Sequence, residues 1–402
     1  MHTRNACRVY SSRSETERKR DPPPFYIPNQ QYASEVKFSE ETQRRLARLR
    51  EHRFHPTNIP DSPDFGTNQY INIDEKLKEQ LKRILTQFNA PIRYAFAYGS
   101  GVFQQAGYQT QKPMLDFIFG VMHPDHWHAL NIQQNPHHYS ALKGLGNRAI
   151  TSLQEKIGAG LYFNPYVEMD GMMIKYGVVS VDMLCKDLLD WDTLYLSGRM
   201  HKPIKILRDD PRVRLANQVN LTEAVRVALL TLPEEFTEEE LYKQIAGISY
   251  VGDYPIFVGE NPNKVKNIVE AQMSHFHRLY SGLLNDLPNV TFLGEGKLQQ
   301  SQNPRFRGLM VQKLPANLYR RLVLEHRKYA AQCGLSVPEE SLELNQQIAL
   351  SPALQYYFEK CLHDIIARPA LTQSIKDIFT AGPLKTSRHV SSKMSKWLAA
   401  QK

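Results

Sequence analysis

A short apolar segment that ends in a glycine-rich turn sets the first constraint on the fold. Residues 92–98 are rich in aromatic side chains, and Gly99-Ser100-Gly101 follows them directly. Glycines at the end of a buried strand let backbone N–H groups approach an anion, and a serine hydroxyl adds a further donor. The same turn is also common without any ligand. The segment predicts a strand followed by a candidate phosphate-binding turn at Tyr98, Gly99, Ser100 and Gly101.

Two acidic residues lie inside later apolar segments that we expect to be strands. Asp116 is the only charged residue of segment 114–121, and Asp182 lies in segment 172–184, which we expect to follow a hairpin at Gly171. A carboxylate on a buried strand is costly unless it is paired or bound to a metal ion. One such acid alone more readily caps a turn or pairs with a base. Two behind a glycine-serine turn favour Mg²⁺, which takes carboxylate and phosphate oxygens.

The periodicity of apolar residues predicts four regions. Residues 1–28 are a presequence or a disordered basic tail with a Pro-rich linker, and 29–215 form an α/β domain with a mixed sheet. Residues 216–370 are mainly helical, and 371–402 are a basic tail. The apolar spacing predicts helices over 74–88, 127–132, 147–156, 221–232, 237–248, 265–284, 318–333 and 351–366. Thr237 and Glu240 form a capping-box pattern at the start of one of them.

The distribution of charge limits the classes of partner. The net charge is +9, yet residues 21–370 carry equal numbers of basic and acidic groups, so the excess lies in the two ends. A neutral central region argues against a broad nucleic-acid-binding face, and we expect no nucleic acid partner. No apolar run is long enough to span a membrane. In the tail, Trp397 and Leu398 share an apolar stripe bordered by Lys393 and Lys396, which favours peripheral contact with an anionic membrane.

Four sequence blocks resemble one enzyme family. They are Phe96-Ala-Tyr-Gly-Ser-Gly-Val-Phe-Gln-Gln, Lys112-Pro-Met-Leu-Asp-Phe-Ile-Phe-Gly-Val, Ser197-Gly-Arg-Met-His-Lys-Pro, and Val251-Gly-Asp-Tyr with Gly259-Glu-Asn-Pro-Asn-Lys-Val. Together they resemble the mitochondrial phosphatidate cytidylyltransferases, which make CDP-diacylglycerol. The resemblance implies a polymerase-β-type nucleotidyltransferase domain and a winged-helix-like second domain. The apolar stripe of the tail separately predicts a C-terminal amphipathic helix.

The same resemblance implies a reaction and a location. CTP and phosphatidic acid would give CDP-diacylglycerol and pyrophosphate with Mg²⁺, feeding cardiolipin synthesis. The protein would be peripheral, on the matrix side of the mitochondrial inner membrane. The expected metal ligands and catalytic acids are Asp116 and Asp182.

The cationic residues that we expect in the site follow Asp182 in the sequence. Phosphoryl transfer needs positive charge on the developing anion. We expect Lys202 and Lys205 to be catalytic, with only one of them pointing into the site, and Arg199 and His201 to contact phosphate. The alternative is a solvated turn.

One departure from the wider nucleotidyltransferase pattern leaves the metal ligands open. That fold usually carries two acids at i and i+2 on one strand, but Ile118 follows Asp116 at i+2. Glu168 and Asp170 are candidate substitutes. The missing acid also keeps open a non-catalytic membrane-associated import-assembly factor, and a nucleotidyltransferase acting on RNA or nucleotides is the second alternative.

Histidines and cysteines give weaker signals. The histidine cluster spans residues 123–138 at a spacing compatible with zinc, but no cysteine and no acid other than Asp125 completes a site. We therefore interpret its members as surface histidines rather than zinc ligands. The four cysteines make no Cys-x-x-Cys pair, which indicates neither zinc nor a disulfide framework.

Overall fold

A five-stranded mixed sheet organises the first half of the chain. The computed structural model describes residues 59–60, 62–103, 114–251 and 263–381. The order across the sheet is β3-β4-β2-β1-β5; β2 and β4 are parallel, and the other neighbours are antiparallel. The strands are β1 Tyr94–Tyr98, β2 Leu115–Val121, β3 Tyr162–Met169, β4 Met172–Ser180 and β5 Lys205–Arg208. The prediction of an α/β fold with a mixed sheet is confirmed.

Both faces of this sheet are covered, which explains why its strands read as nearly continuous apolar runs. The face that bears Ala95 and Ala97 packs against helix α1, Glu75–Thr86, and we call it the α1 face. The face that bears Tyr94 and Phe96 packs against helix α4, Val181–Asp190, and is called the α4 face. Three more short helices complete this part: α2 Pro124–Gln134, α3 Gly146–Lys156 and α5 Ser197–Met200.

The second half combines helices with a small antiparallel sheet of order β6-β8-β7. Its elements are α6 Pro211–Thr231, β6 Glu235–Thr237, α7 Glu238–Gly247, α8 Lys264–Ala271, α9 Met273–Asn285, β7 Val290–Gly294, β8 Lys297–Gln300, α10 Pro304–Gln312, α11 Ala316–Cys333, α12 Leu342–Leu350 and α13 Leu354–Ala381. The capping box at the start of α7 is confirmed: Thr237 Oγ1 accepts from the Glu240 N–H, and the Glu240 carboxylate accepts from the Thr237 N–H.

The bounds of three predicted helices are clearly wrong. The helix expected over 221–232 begins ten residues earlier, at Pro211. The helix expected over 265–284 is interrupted at Gln272, where α8 ends and α9 begins. The helix expected to end before Pro369 continues to Ala381, although an interior proline removes a hydrogen bond. It continues because its last turns pack on the first sheet, where Lys376 is only 2 % exposed. Residues 371–381 therefore belong to α13, not to a separate tail.

The predicted region boundaries fall inside helices. α6 crosses residue 215: Val213 and Ala216 pack on the α4 face, while Leu221 and Leu229 belong to the core of the helical part. α13 crosses residue 370 in the same way. Among the described helices, none is both long and apolar enough to traverse a bilayer. The tail residues Lys393, Lys396, Trp397 and Leu398 lie outside the described residues.

Candidate active site

The turn after β1 is held tightly against the start of β2. Gly99 has φ +80°, and a Cβ built on it would lie 3.3 Å from Asp116 Oδ2. A Cβ on Gly101 would meet the Met114 carbonyl oxygen at 2.7 Å, closer than real side chains approach. The Val102 and Phe103 N–H groups both donate to the Gly99 carbonyl oxygen, at 3.1 and 2.9 Å. Glycine is therefore required at both positions, and the turn brings Ser100 to the end of β2 that carries Asp116.

Asp116 is on β2, and the neighbouring strands β1 and β4 carry further polar side chains on the α4 face. Its register partners are Tyr98 on β1 and Lys175 on β4. Register partners share a face, and adjacent strands lie about 4.8 Å apart. Burial, and next the charge of Asp116, raise the pKa of Tyr98 above its ordinary value, so its hydroxyl stays protonated. The turn, the Asp116 carboxylate and the Tyr98 phenol thus lie at one end of the sheet, and Lys175 is on the next strand on the same face.

Arg199 joins this group through aromatic contacts. Its guanidinium stacks on the Tyr195 ring at 3.8 Å and lies 5.9 Å from the centre of the Tyr98 ring. It also donates to the Tyr195 carbonyl oxygen. The structure therefore places this predicted phosphate contact beside Tyr98, where its planar fork can clamp phosphate oxygens.

Lys202 approaches the same end of the sheet from α5. It lies three residues before Lys205, whose register partner is Ala97 near the end of β1. Lys202 Nζ donates to Ser249 Oγ at 2.7 Å and to the Gly198 carbonyl oxygen. It also lies 5.0 Å from the Tyr250 ring, which Lys264 approaches at 4.8 Å. Lys202, just before β5, and Lys264, at the start of α8, thus both place positive charge near the Tyr250 ring.

The second predicted lysine, Lys205, points away from Asp116. Lys205 lies on the α1 face, because its register partner Ala97 does, and its Nζ donates to the Ile71 carbonyl oxygen at 2.7 Å. Burial, and next the neighbouring Lys78, lower the pKa of Lys205. Alternation along β5 thus turns Lys205 away from Asp116.

The expected pairing of Asp116 with Asp182 is wrong. β4 ends at Ser180, whose hydroxyl accepts from the Met183 N–H at 3.2 Å and caps α4. Asp182 lies in the first turn of α4, where its side chain is 82 % exposed and 3.6 Å from Arg212. Five residues of strand, about 17 Å, separate Asp116 from Val121, the register partner of Ser180. An acid in the first helical turn complements the helix dipole, which accounts for Asp182 without a metal.

The expected contact of His201 with phosphate conflicts with its position. The ring is fully buried against Trp191, and Nε2 is 2.9 Å from Asn220 Oδ1. Burial, and next the charge of Lys202, lower the pKa of His201 to about 3. His201 is a neutral core residue that fastens α5 to α6.

Glu168 and Asp170, the candidate substitutes for the missing second acid, lie in different places. Glu168 lies on the sheet face of Asp116 and Lys175, because its register partner is Met173, two residues before Lys175. Asp170 occupies the β3–β4 turn and pairs with Arg83 at 3.1 Å, so it is engaged elsewhere. In the described part of the chain, no group of three or more His, Cys, Asp or Glu residues is placed to hold a metal. Asp116 is the carboxylate at the turn, and one or two carboxylates with substrate phosphates are the usual donors for Mg²⁺.

The interpretation of the histidine cluster as surface residues is wrong for two members. His128 and His138 are buried and bond to tyrosine hydroxyls: His128 Nδ1 is 2.9 Å from Tyr139, and His138 Nδ1 is 2.9 Å from Tyr176. Each of these rings is a hydrogen-bond partner for a buried tyrosine hydroxyl under the α1 face. His123, His126 and His137 are exposed, as expected.

Sequence reasoning missed Lys175 and Asp377. Lys175 is the only charged residue of β4, the same signal that identified Asp116. Asp377, on α13, lies 4.0 Å from Lys175 Nζ, and no local sequence pattern predicts that contact. A glycine-serine turn, a carboxylate and nearby cations at one end of a mixed sheet are groups suited to binding a polyphosphate.

Comparison with known proteins gives the family. Residues 81–396 match the family described as "Phosphatidate cytidylyltransferase, mitochondrial". A protein of that name from Xenopus laevis is 43 % identical over 329 residues, which are 79 % of this chain and 94 % of the relative. The Schizosaccharomyces pombe protein of that name is 40 % identical over 354 residues, 83 % of this chain and 87 % of the relative. The human one is 38 % identical over 325 residues, 79 % and 70 % of the two chains. The chain belongs to this family.

Proposed function

We propose that this protein is a phosphatidate cytidylyltransferase that converts CTP and phosphatidic acid to CDP-diacylglycerol and pyrophosphate. Membership of the family and the contact between Gly99 and Asp116 carry the proposal. The resemblance supplies the identity of the nucleotide, and the site supplies the groups for a polyphosphate. The product would feed cardiolipin synthesis.

The residues of the candidate site have separate roles in an in-line displacement. A phosphatidate oxygen attacks the α-phosphorus of CTP, and the bond to the pyrophosphate oxygen breaks. The phosphatidate is already anionic at neutral pH, so no strong base is required. The turn at Gly99 and Ser100 binds phosphate oxygens, and Arg199 and Lys202 stabilise the charge that develops on them.

Asp116 would hold Mg²⁺ together with the triphosphate. The metal, when bound, neutralises the phosphates and stabilises the leaving pyrophosphate. The carboxylate faces the turn, with Oδ2 3.3 Å from the position of a Cβ on Gly99, so its oxygen is directed at the place where phosphates would bind. Glu168 is the remaining acid on the same face of the sheet.

The fold and location are proposed on the same basis. We assign the sheet and its helices to a polymerase-β-type nucleotidyltransferase domain, and α7–α9 with the β6-β8-β7 sheet to a winged-helix-like domain. We further propose a peripheral protein on the matrix side of the mitochondrial inner membrane. The names of the relatives support the mitochondrial part of this proposal.

The test mixes purified protein, Mg²⁺, labelled CTP and phosphatidic-acid liposomes, with parallel reactions containing ATP, GTP or UTP. We expect label in the lipid extract and pyrophosphate release with CTP alone. Omission of Mg²⁺ should stop the reaction. Folded, liposome-bound protein that labels no lipid would contradict the proposal and favour a non-catalytic assembly factor, whereas label appearing in added RNA would favour an RNA nucleotidyltransferase.

A further inference from the structure

The last turns of α13, at the far end of the described chain, place the Asp377 carboxylate near Lys175 on β4. Asp377 Oδ2 lies 4.0 Å from Lys175 Nζ, and the Lys175 ammonium is also 4.0 Å from the centre of the Phe163 ring. Lys175 in turn is the register partner of Asp116. Lys175 therefore shares a sheet face with Asp116, while its ammonium lies over the Phe163 ring of β3 and near the helix carboxylate.

The position of Asp377 is fixed by neighbours other than Lys175. Gln373 Nε2 donates to Asp377 Oδ1 at 2.7 Å, while Gln373 Oε1 accepts from the Ala159 N–H at 3.1 Å. A Cβ on Gly158 would lie 2.6 Å from Gln373 Oε1, so the helix approaches this loop as closely as glycine allows. Lys376, on the adjacent position, donates to the carbonyl oxygens of Gln154 and Ile157. With one oxygen held by Gln373, the other faces Lys175.

The charges around Lys175 favour a defined position for its ammonium. The Lys175 side chain is 19 % exposed and that of Asp377 is 27 % exposed, so water screens the pair only in part. Burial raises the pKa of Asp377, and the charge of Lys175, the hydrogen bond from Gln373, and the charges of Lys376 and Arg199 oppose that rise. Arg199 also lies 5.9 Å from the centre of the Tyr98 ring, so its charge acts on both Tyr98 and Asp377.

We propose that Asp377 is a positioning residue for the cytidylyl transfer: it holds the Lys175 side chain on the sheet face that bears Asp116, from where the Lys175 ammonium contacts the phosphates of the bound nucleotide. The inference rests on the proposed function. Lys175 is then a phosphate-binding residue on the strand next to Asp116. Asp377 acts through Lys175 and does not contact the substrate.

The test compares single and double variants of the full chain. Asp377→Asn keeps the size and the acceptor for Gln373 but removes the charge. We expect it to weaken Mg²⁺–CTP binding and raise KM for CTP by roughly three- to tenfold, with a smaller change in kcat. Lys175→Met should have a larger effect. The double variant should be no worse than Lys175→Met alone, because Asp377 has nothing left to position. Asp377→Glu should restore most of the affinity.

The control is Asp364→Asn, the same substitution at an exposed position of the same helix. It should leave KM unchanged. Wild-type kinetics in Asp377→Asn, or effects of Asp377→Asn and Lys175→Met that multiply fully, would overturn the inference while leaving the proposed function standing. If Asp377→Asn does not fold, Asp377→Glu with the Lys175 variant decides the same question. A wild-type protein that forms no lipid product would overturn both.

Discussion

Gly99 and Asp116 are in such close contact that one added methyl group on the glycine would lie 3.3 Å from the carboxylate oxygen Oδ2. The glycine also has φ +80°, a left-handed conformation that side chains disfavour. The turn and the acid are therefore a single structural unit, and each can be tested through the other.

Gly99→Ala should lower turnover and CTP affinity at least tenfold, because the methyl group pushes against Asp116 and the backbone strain of about 1–2 kcal/mol shifts the turn. Steady-state kinetics and thermal unfolding measure the two effects. Gly171→Ala is the matched control, with φ +68° and open space around the added Cβ. It should lose stability to a similar extent and keep its activity. Equal activity in both variants would contradict a role for the turn.

Asp116→Ala should reduce turnover by at least about 100-fold while the protein stays folded, since it removes the carboxylate proposed to hold Mg²⁺. Lipid labelling and circular dichroism check activity and fold. The comparison is Asp182→Ala. Because Asp182 is 82 % exposed and lies at the opposite end of the sheet, we expect its loss to change turnover less than about twofold. A folded Asp182→Ala protein without turnover would contradict this assignment, because Asp182 in the first turn of α4 would then be essential for activity.

Lys202→Met and Lys205→Met should separate chemistry from stability. Lys202 contacts Ser249 and Tyr250 near the site, so its loss should raise KM for CTP by roughly tenfold. Lys205 donates to the Ile71 carbonyl oxygen on the α1 face, so its loss should lower the melting temperature and leave KM nearly unchanged. Titration calorimetry with Mg²⁺–CTP and thermal melts measure both. A larger CTP defect in Lys205→Met would reverse the assignment.

His128 should make the fold sensitive to acid. Burial lowers its pKa to about 4, below the value near 6.5 of an unfolded histidine. Between these values the unfolded state binds more protons, so stability rises with pH from about 4 to 6.5 and is lost on acidification. The contribution is of the order of 3 kcal/mol. His128→Gln should flatten the dependence of the free energy of unfolding on pH in this window, measured with urea, whereas exposed His126→Gln should keep the wild-type slope.

Deletion of residues 385–402 should weaken binding to acidic liposomes far more than binding of CTP. The deleted segment holds the basic and aromatic residues expected to face a membrane, each basic group being worth about 1 kcal/mol near an anionic surface. The described helix α13 stays intact in this variant. Sedimentation with liposomes measures the first property and calorimetry the second. Liposome binding equal to that of the full chain would contradict a role for the tail.

Much of the first sheet could be predicted because its strands obey simple patterns. Strands β1 and β2 are apolar runs with one conspicuous acid, and the turn between Tyr98 and Val102 carries the glycines that its geometry requires. Helix α1 begins at its cap Asp74, whose side chain accepts from the Leu77 N–H at 3.0 Å. Local chemistry was enough in these places.

The errors occurred where local pattern is ambiguous. An apolar run with an acid is compatible with a strand or with a capped helix start, and at Ser180 the cap decides for the helix. Pro369 suggests a helix end, but packing of Gln373 and Lys376 on β3 and its neighbouring loop keeps α13 continuous. The contact of Lys175 with Asp377 joins residues far apart in sequence, so periodicity does not reveal it.

The return of α13 to the first sheet has a consequence for the order in which the protein matures. The hydrogen bond from Ala159 N–H to Gln373 spans 214 residues of sequence. During synthesis from the N-terminus, the sheet, the turn at Gly99 and Asp116 are complete long before residue 377 is made, and domains generally fold in that order. The nascent protein therefore has its nucleotide turn while Lys175 still lacks its carboxylate partner Asp377. If Asp377 positions that lysine, full activity begins only when the end of α13 closes this long loop, which makes catalysis a late event in folding.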